Sequence, residues 1–234
     1  MYGTGHAQFF KGKPLQLEDF GKGYFTSAFK DSLTKGDKDL LDRYFESRKP
    51  AEKMKLLIIG HGRHGKDTLA EIFRDDHGYT FSSSSEAAAK IFIYDELKEK
   101  YGYEDFQECY VDRHNRRAEW FNLITNYNKD DRSRLAKEIM KDHDIYVGMR
   151  SRLEIMSCLR QGIFDLVLWV ERDGVQLEDS SSFDIDKSIA NLYVDNSGSI
   201  SDLREKAAAI IEWYQAWRKF DSLIDVINPK RIKK

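Results

Sequence analysis

With 234 residues, 41% of them apolar and 33% charged, and a formal net charge of -2, the chain has the composition of one globular α/β domain with appended segments. That balance advertises no nucleic-acid or membrane partner, although it leaves room for a local basic groove on one face. Cys109 and Cys158 are too few for a disulfide framework or a zinc site. No apolar run approaches the roughly 18 residues of a membrane span, and the first residues lack the layout of a signal peptide. A soluble intracellular protein with reduced thiols is expected.

In chain order, residues 1–53 form an N-terminal extension rich in aromatics, lysine and glycine. It holds one short helical pattern, "DKDLLDRYFESR", with Leu40, Leu41, Tyr44 and Phe45 at helical spacing. Its stretches "QFFKGK" and "GKGYFTSAFK" suit single-stranded DNA through stacking and phosphate contacts. They suit equally a wrap around the core or an oligomer contact. After a seam near Pro50, strand-like and helix-like segments alternate over residues 54–220, the pattern of a parallel α/β sheet.

Strands are predicted at Lys55–Gly60, Tyr79–Ser83, Asp144–Met149, Asp165–Glu171 and Leu192–Asp195. "KLLIIG" and "FDLVLWVE" are nearly continuous apolar runs, as strands covered on both faces require. Helices are predicted at Gly65–Asp76, Glu86–Lys100, Arg113–Tyr127, Asp131–Asp142, Ser151–Gln161 and Ser201–Lys219, the last with Ser201 as its N-cap. Phe92, Tyr94 and Trp120 fit core positions better than base-stacking platforms. Residues 221–234 are a basic C-terminal tail ending "NPKRIKK", expected to be frayed, with a charge that could touch a polyanion.

The chemistry concentrates in Gly60-His61-Gly62-Arg63-His64-Gly65-Lys66-Asp67-Thr68, which fits G-x-x-x-x-G-K between a strand and a helix. Gly60, Gly62 and Gly65 let the backbone turn so that its N–H groups aim inward, and the following helix adds its positive end. Lys66 then reaches the β- and γ-phosphates of a bound nucleotide. His61, Arg63 and His64 lie within reach of the same phosphates. The Ser or Thr that usually follows the lysine and meets Mg²⁺ is replaced by Asp67, with Thr68 next. Asp67 could hold the metal or face the acceptor, and Thr68 could take over the hydroxyl's part.

With "GKDT" in place, the loop resembles that of phage deoxynucleoside monophosphate kinases. The resemblance continues at "IYVGMRSRLE", where the family has its third strand, Asp-x-Arg and a glutamate, at "LWVERDG", and at "LYVDNSGSISDLREK". It implies a P-loop nucleoside-monophosphate-kinase-like fold, a parallel sheet flanked by helices, with ATP and Mg²⁺ as cofactors. The serine-rich "FSSSSEAAAKIFIYDELKEKYGY" and the arginine cluster "VDRHNRRAEW" resemble more closely a related phage group. Those kinases phosphorylate 5-hydroxymethyl-deoxyuridine within DNA, in the cytoplasm of the infected bacterial host. The resemblance thus implies phage DNA containing 5-hydroxymethyluracil as partner, or a free deoxynucleotide, and no membrane.

A monophosphate acceptor is already an anionic nucleophile and needs arginines, whereas a hydroxymethyl acceptor must lose a proton and needs a carboxylate within reach. Arg113, Arg116 and Arg117 can gather at a helix start to bind substrate, with Glu86 after the serine run. Arg150 sits at a strand's carboxyl end, where open α/β sheets bind ligands. The family's strand-three aspartate is Gly148 here, which moves the base to Asp67, Asp112 or Glu119, or removes it. The bland reading of the same residues is a solvated helix face with i,i+4 pairs, and a serine run that merely caps a helix. "ERDGVQLEDSSSFDID" occupies the place of a lid, with Arg172 its best phosphate contact and Lys187 the other cation.

Overall fold

The computed structural model describes residues 53–177 and 184–227. The short helix expected near residue 40, residues 228–234 of the basic tail and the middle of the expected lid lie outside the described residues.

Five strands, β1 (Leu56–Ile59), β2 (Phe81–Ser83), β3 (Ile145–Val147), β4 (Leu166–Glu171) and β5 (Leu192–Asp195), form one sheet in the order β2-β3-β1-β4-β5. Every pairing is parallel. This is the α/β class the alternation predicts. The continuous apolar runs follow from two-sided burial, because successive side chains of a strand point to opposite faces. Leu57 and Ile59 of β1 join Tyr146, Val167 and Trp169 in one core, while Leu56 and Ile58 join Val147, Leu168 and Val170 in the other.

The helices divide between these cores. On the second face lie α1 (Lys66–His77), through Leu69 and Phe73, and α8 (Ile200–Ile227), through Leu203, Ala207 and Ile210. The first face carries α2 (Ser84–Ala88), α3 (Tyr94–Tyr101), α4 (Phe106–Asp112), α5 (Arg117–Tyr127), α6 (Arg134–Asp142) and α7 (Arg152–Arg160). Cys109 and Cys158 are buried free thiols in that core, and burial pushes the Cys158 thiol up to about 12. Trp120 is buried there, and Phe92 stacks on Tyr127 at 4.2 Å between ring centroids. No helix among the described residues is long and apolar enough to cross a membrane.

Several boundaries differ from the sequence reading. The helix expected at Glu86–Lys100 begins earlier, at Ser84, because Ser83 caps it by accepting from the Glu86 N–H (3.1 Å), and a π-helical turn, Ala89–Ile93, separates α2 from α3. The helix expected at Arg113–Tyr127 starts only at Arg117, since the chain turns over Asp112–Arg116. Ahead of that turn lies α4, which the apolar pattern missed. It is seven residues long with a single fully buried side chain, Cys109, and its signal was the cap residue Asp105 accepting from Glu108 N–H at 2.9 Å. The last helix is capped by Ser199, one residue before its start, and not by Ser201. Ser199 and Asp202 exchange N–H bonds at 2.7 and 3.2 Å, a reciprocal capping box.

The amino-terminal edge of the sheet is tied by Asp144, which accepts from Thr80 N–H and Oγ1 (both 3.1 Å) and from Lys55 Nζ (3.3 Å). Burial alone would raise this carboxyl, but the Thr80 and Lys55 contacts outweigh it and hold the group below the usual carboxylate range. A carboxyl depressed in the folded state adds stability above its unfolded value, and that stability is lost as the pH falls through the folded value. Asp144→Asn is expected to cost about 1–2 kcal/mol at neutral pH and to flatten the wild type's loss of stability below about pH 4. Urea denaturation at neutral and acid pH checks this. An unchanged acid dependence in the variant would refute the role given to Asp144.

Candidate active site

The loop between β1 and α1 is shaped by close backbone approaches that only glycine allows. Gly60 has φ 140°, and a Cβ there would lie 2.2 Å from the Val170 carbonyl oxygen of β4. Gly65 has φ 91°, and a Cβ there would lie 2.0 Å from Nδ2 of Asn196, just beyond β5. The third left-handed residue is Arg63 (φ 66°) and not Gly62, which the sequence reading had making one of the turns. Three left-handed residues within six positions curl the N–H groups toward a common centre at the start of α1, a ready anion site.

His64 pins this loop to its neighbours. Its buried ring accepts the Arg172 backbone N–H at Nδ1 (2.9 Å), and its carbonyl accepts from Asn196 Nδ2 (3.0 Å). Nδ1 as acceptor places the neutral ring's proton on Nε2. The His61 ring packs edge-on against Trp169 at 5.6 Å. Neither histidine lines the cavity described next; both shape the loop. Lys66 is largely buried and its Nζ donates to the His61 carbonyl (2.5 Å), which folds the ammonium back over the loop.

Above the loop opens a cavity of about 480 Å³, within the usual range of small-molecule sites. Arg63, Gly65, Lys66, Asp67 and Thr68 line it from below, Arg172 from the end of β4, and Asn196, Gly198, Ser199 and Ile200 from the β5–α8 connection. Three cations face one carboxylate, so the lining suits a polyanion, and the amino end of α1 adds to the same field. Ile200 adds an apolar patch to this lining, which suits a base. Asp67 and Thr68 bring one carboxylate and one hydroxyl to the phosphate end. That donor set fits Mg²⁺, which keeps several waters and takes phosphate oxygens as its other ligands. No cluster of three or more His, Cys, Asp or Glu side chains among the described residues would hold a metal by itself.

The candidates on the helical side are placed differently. Arg113, Arg116 and Arg117 do not converge. Arg113 ends α4, donates to the Tyr110 carbonyl (2.7 Å) and covers the Tyr110 ring. Arg117 is exposed at the start of α5. Arg116 stacks 3.4 Å over Tyr101 and donates to Asp112 (2.7 Å).

Asp112 also accepts from Tyr103 (2.5 Å) and Asn115 (2.7 Å), and Glu119 accepts from Lys100 (2.6 Å) and Tyr101 (2.8 Å). Burial and the neighbouring Asp112 push the Tyr103 hydroxyl up to about 12. The same contacts hold Asp112, chiefly through Tyr103, and Glu119, chiefly through Lys100, below the usual carboxylate range. A general base working near neutral pH requires the opposite shift. None of these residues lines the cavity, and Glu86 pairs with Lys90 at 2.7 Å on the surface. The i,i+4 reading of this segment therefore describes Asp112–Arg116.

Arg150 follows β3 by three residues and its carbonyl accepts the Asp184 N–H (3.3 Å). Lys187, the other lid cation, sits 3.5 Å from Glu171. One residue of the cavity lining escaped the sequence reading as a candidate: Asn196, whose Asn-x-Gly turn carried the signal.

The sheet, the glycine-bent loop after its central strand and the cavity over that loop define a P-loop α/β protein. No protein-family model matches the chain, and no curated protein does. Among solved structures it is similar to the shikimate kinase from Aquifex aeolicus vf5, at 13% identity over 68% of this chain and 96% of that one, with a TM-score of 0.40. It is also similar to a gluconokinase from Sinorhizobium meliloti 1021, at 12% identity over 71% and 96%, with a TM-score of 0.40. TT1252 from Thermus thermophilus matches at 16% identity over 68% and 97%, with a TM-score of 0.41. Likenesses this distant assign no activity to the chain.

Proposed function

We propose that the chain is an ATP- and Mg²⁺-dependent phosphotransferase acting on the hydroxymethyl group of 5-hydroxymethyl-deoxyuridine in phage DNA, in the cytoplasm of the infected host. One observation carries the phosphotransferase part. The cavity joins a phosphate cradle, built from Gly65, Lys66, Asp67 and Thr68, to a wall of Arg172, Asn196 and Ile200 that fits a nucleoside.

In this reading the loop N–H groups and Lys66 hold the β- and γ-phosphates, and Arg172 and Arg63 neutralise their charge. Asp67 and Thr68 would hold Mg²⁺, which when bound would supply charge neutralisation on the transferring group. The DNA acceptor is supported by the sequence resemblance of "FSSSSEAAAKIFIYDELKEKYGY" and "VDRHNRRAEW" and by the scarcity of arginines in the lid position. Free deoxynucleoside monophosphates are the competing acceptors.

ADP release tests the reading in full-length protein with ATP and Mg²⁺. Release that depends on duplex DNA containing 5-hydroxymethyluracil, and is absent with the thymine duplex, is the expected result. No release with either DNA or free nucleotides would leave only a nucleotide-binding module.

A further inference from the structure

We infer that Glu154 is the catalytic base of this site and that the acceptor is therefore an alcohol, not a phosphate. The inference rests on the phosphotransferase reading above and concerns the other half of the same site.

Topology places the acceptor. The nucleotide cavity lies over the β1, β4 and β5 side, lined by the residues that follow β4 and β5 and by the start of α8. In an in-line transfer the attacking oxygen approaches opposite the leaving group. It therefore enters over the carboxyl ends of β3 and β2. Gly148, leaving β3, donates to the Ile58 carbonyl at 2.9 Å, so Met149 and Arg150 emerge beside the first glycine of the phosphate loop. Ser84 Oγ donates to the Gly148 carbonyl (3.3 Å) at the same edge. The chain turns into α7 two residues after Arg150, and Glu154 stands in its first turn.

The carboxyl of Glu154 is oriented by a buried amide. Asn128, only 4% exposed, donates from Nδ2 to Glu154 Oε1 (2.9 Å) while its Oδ1 accepts the Leu135 N–H of α6 (3.0 Å). Oε2 accepts no hydrogen bond among the described residues, and no ion pair there includes Glu154. The groups around it are Asn128 from the end of α5, Arg132 from the α5–α6 connection, Tyr146 from β3, Cys158 from α7 and Asp184 after the lid. Burial raises this carboxyl above its ordinary value, against the pull of Asn128 and Arg132 and with the help of Asp184. A carboxyl drawn out of water with no ion pair to compensate costs stability, yet it is the environment a base needs. Asp112 and Glu119 have the reverse environment.

In the transfer the acceptor oxygen forms a bond to the γ-phosphorus as the bond from that phosphorus to the β–γ bridging oxygen breaks. ADP leaves with that electron pair, and the alcohol proton passes to Glu154 Oε2. A phosphate acceptor carries no such proton to remove and would not use the group.

Glu154→Gln keeps an oxygen for Asn128 and removes the base. In full-length protein with ATP, Mg²⁺ and duplex DNA containing 5-hydroxymethyluracil, kcat is expected to fall roughly 10²–10⁴-fold. KM for ATP stays at the wild-type value, the thermal midpoint does not fall, and the acid limb of the kcat/KM profile disappears. Glu154→Asp, which restores a carboxylate, is expected to recover part of the rate together with the acid limb. A Gln variant within threefold of wild type, or one whose loss follows weakened ATP binding or folding, would overturn the assignment. So would equal loss in the Gln and Asp variants. Wild-type transfer only to free nucleotide phosphates would overturn it while leaving the phosphotransferase standing. Wild-type transfer to no acceptor would overturn both.

Discussion

Gly60→Ala is expected to be the most destructive single-methyl change in the domain, lowering stability by about 2–4 kcal/mol and abolishing ATP binding. The added carbon would sit 2.2 Å from the Val170 carbonyl oxygen, and Val170 is a sheet residue of β4 paired with Val194 of β5. Neither partner can swing aside as a long side chain would. The alternative is to move the loop, but Gly60 holds φ 140°, a conformation L-residues rarely adopt. Any relief moves the N–H groups that follow it away from the phosphate. Urea denaturation and calorimetric titration with ATP measure both consequences. A variant within about 0.5 kcal/mol of wild type that still binds ATP would contradict the geometry assigned to this turn.

Lys66→Ala is expected to remove activity with little damage to the fold, a fall of roughly 10²–10³-fold in kcat. Lys66 Nζ donates to the carbonyl of His61 within the loop and lines the cavity, so its charge serves the site. Arginine should not rescue it. A planar fork cannot take the place of a compact ammonium held 2.5 Å from a carbonyl inside a tight loop. Turnover with ATP and Mg²⁺, read against the thermal midpoint, separates lost chemistry from lost structure. Undiminished turnover would remove the phosphate loop from the mechanism.

The two halves of this site were unequally legible in the sequence. The donor half is local: strand, glycine-bent loop and helix follow one another within 22 residues from Leu56 to His77, so spacing alone located Lys66, Asp67 and Thr68. Even there, the partners that make Gly60 and Gly65 obligatory come from Val170 and Asn196, more than 100 positions away, and no local pattern names them. For the acceptor half, charge clustering pointed to Asp112, Arg116 and Glu119, which are close in sequence and pair with nearby tyrosines and lysine.

Glu154 was harder to see because its character comes from burial and from Asn128, 26 residues earlier and at the end of another helix. The short helix α4 was lost for a related reason. Seven residues with one buried side chain leave too little periodicity to register, and only the cap at Asp105 marks it.

The most direct test of the central claim is to supply γ-labelled ATP and Mg²⁺ to the full-length protein with DNA containing 5-hydroxymethyluracil, digest the DNA, and locate the label. The account predicts label on the hydroxymethyl oxygen of the modified nucleoside, lost in the Lys66→Ala variant. No label on the DNA, with ATP bound but intact, would contradict it.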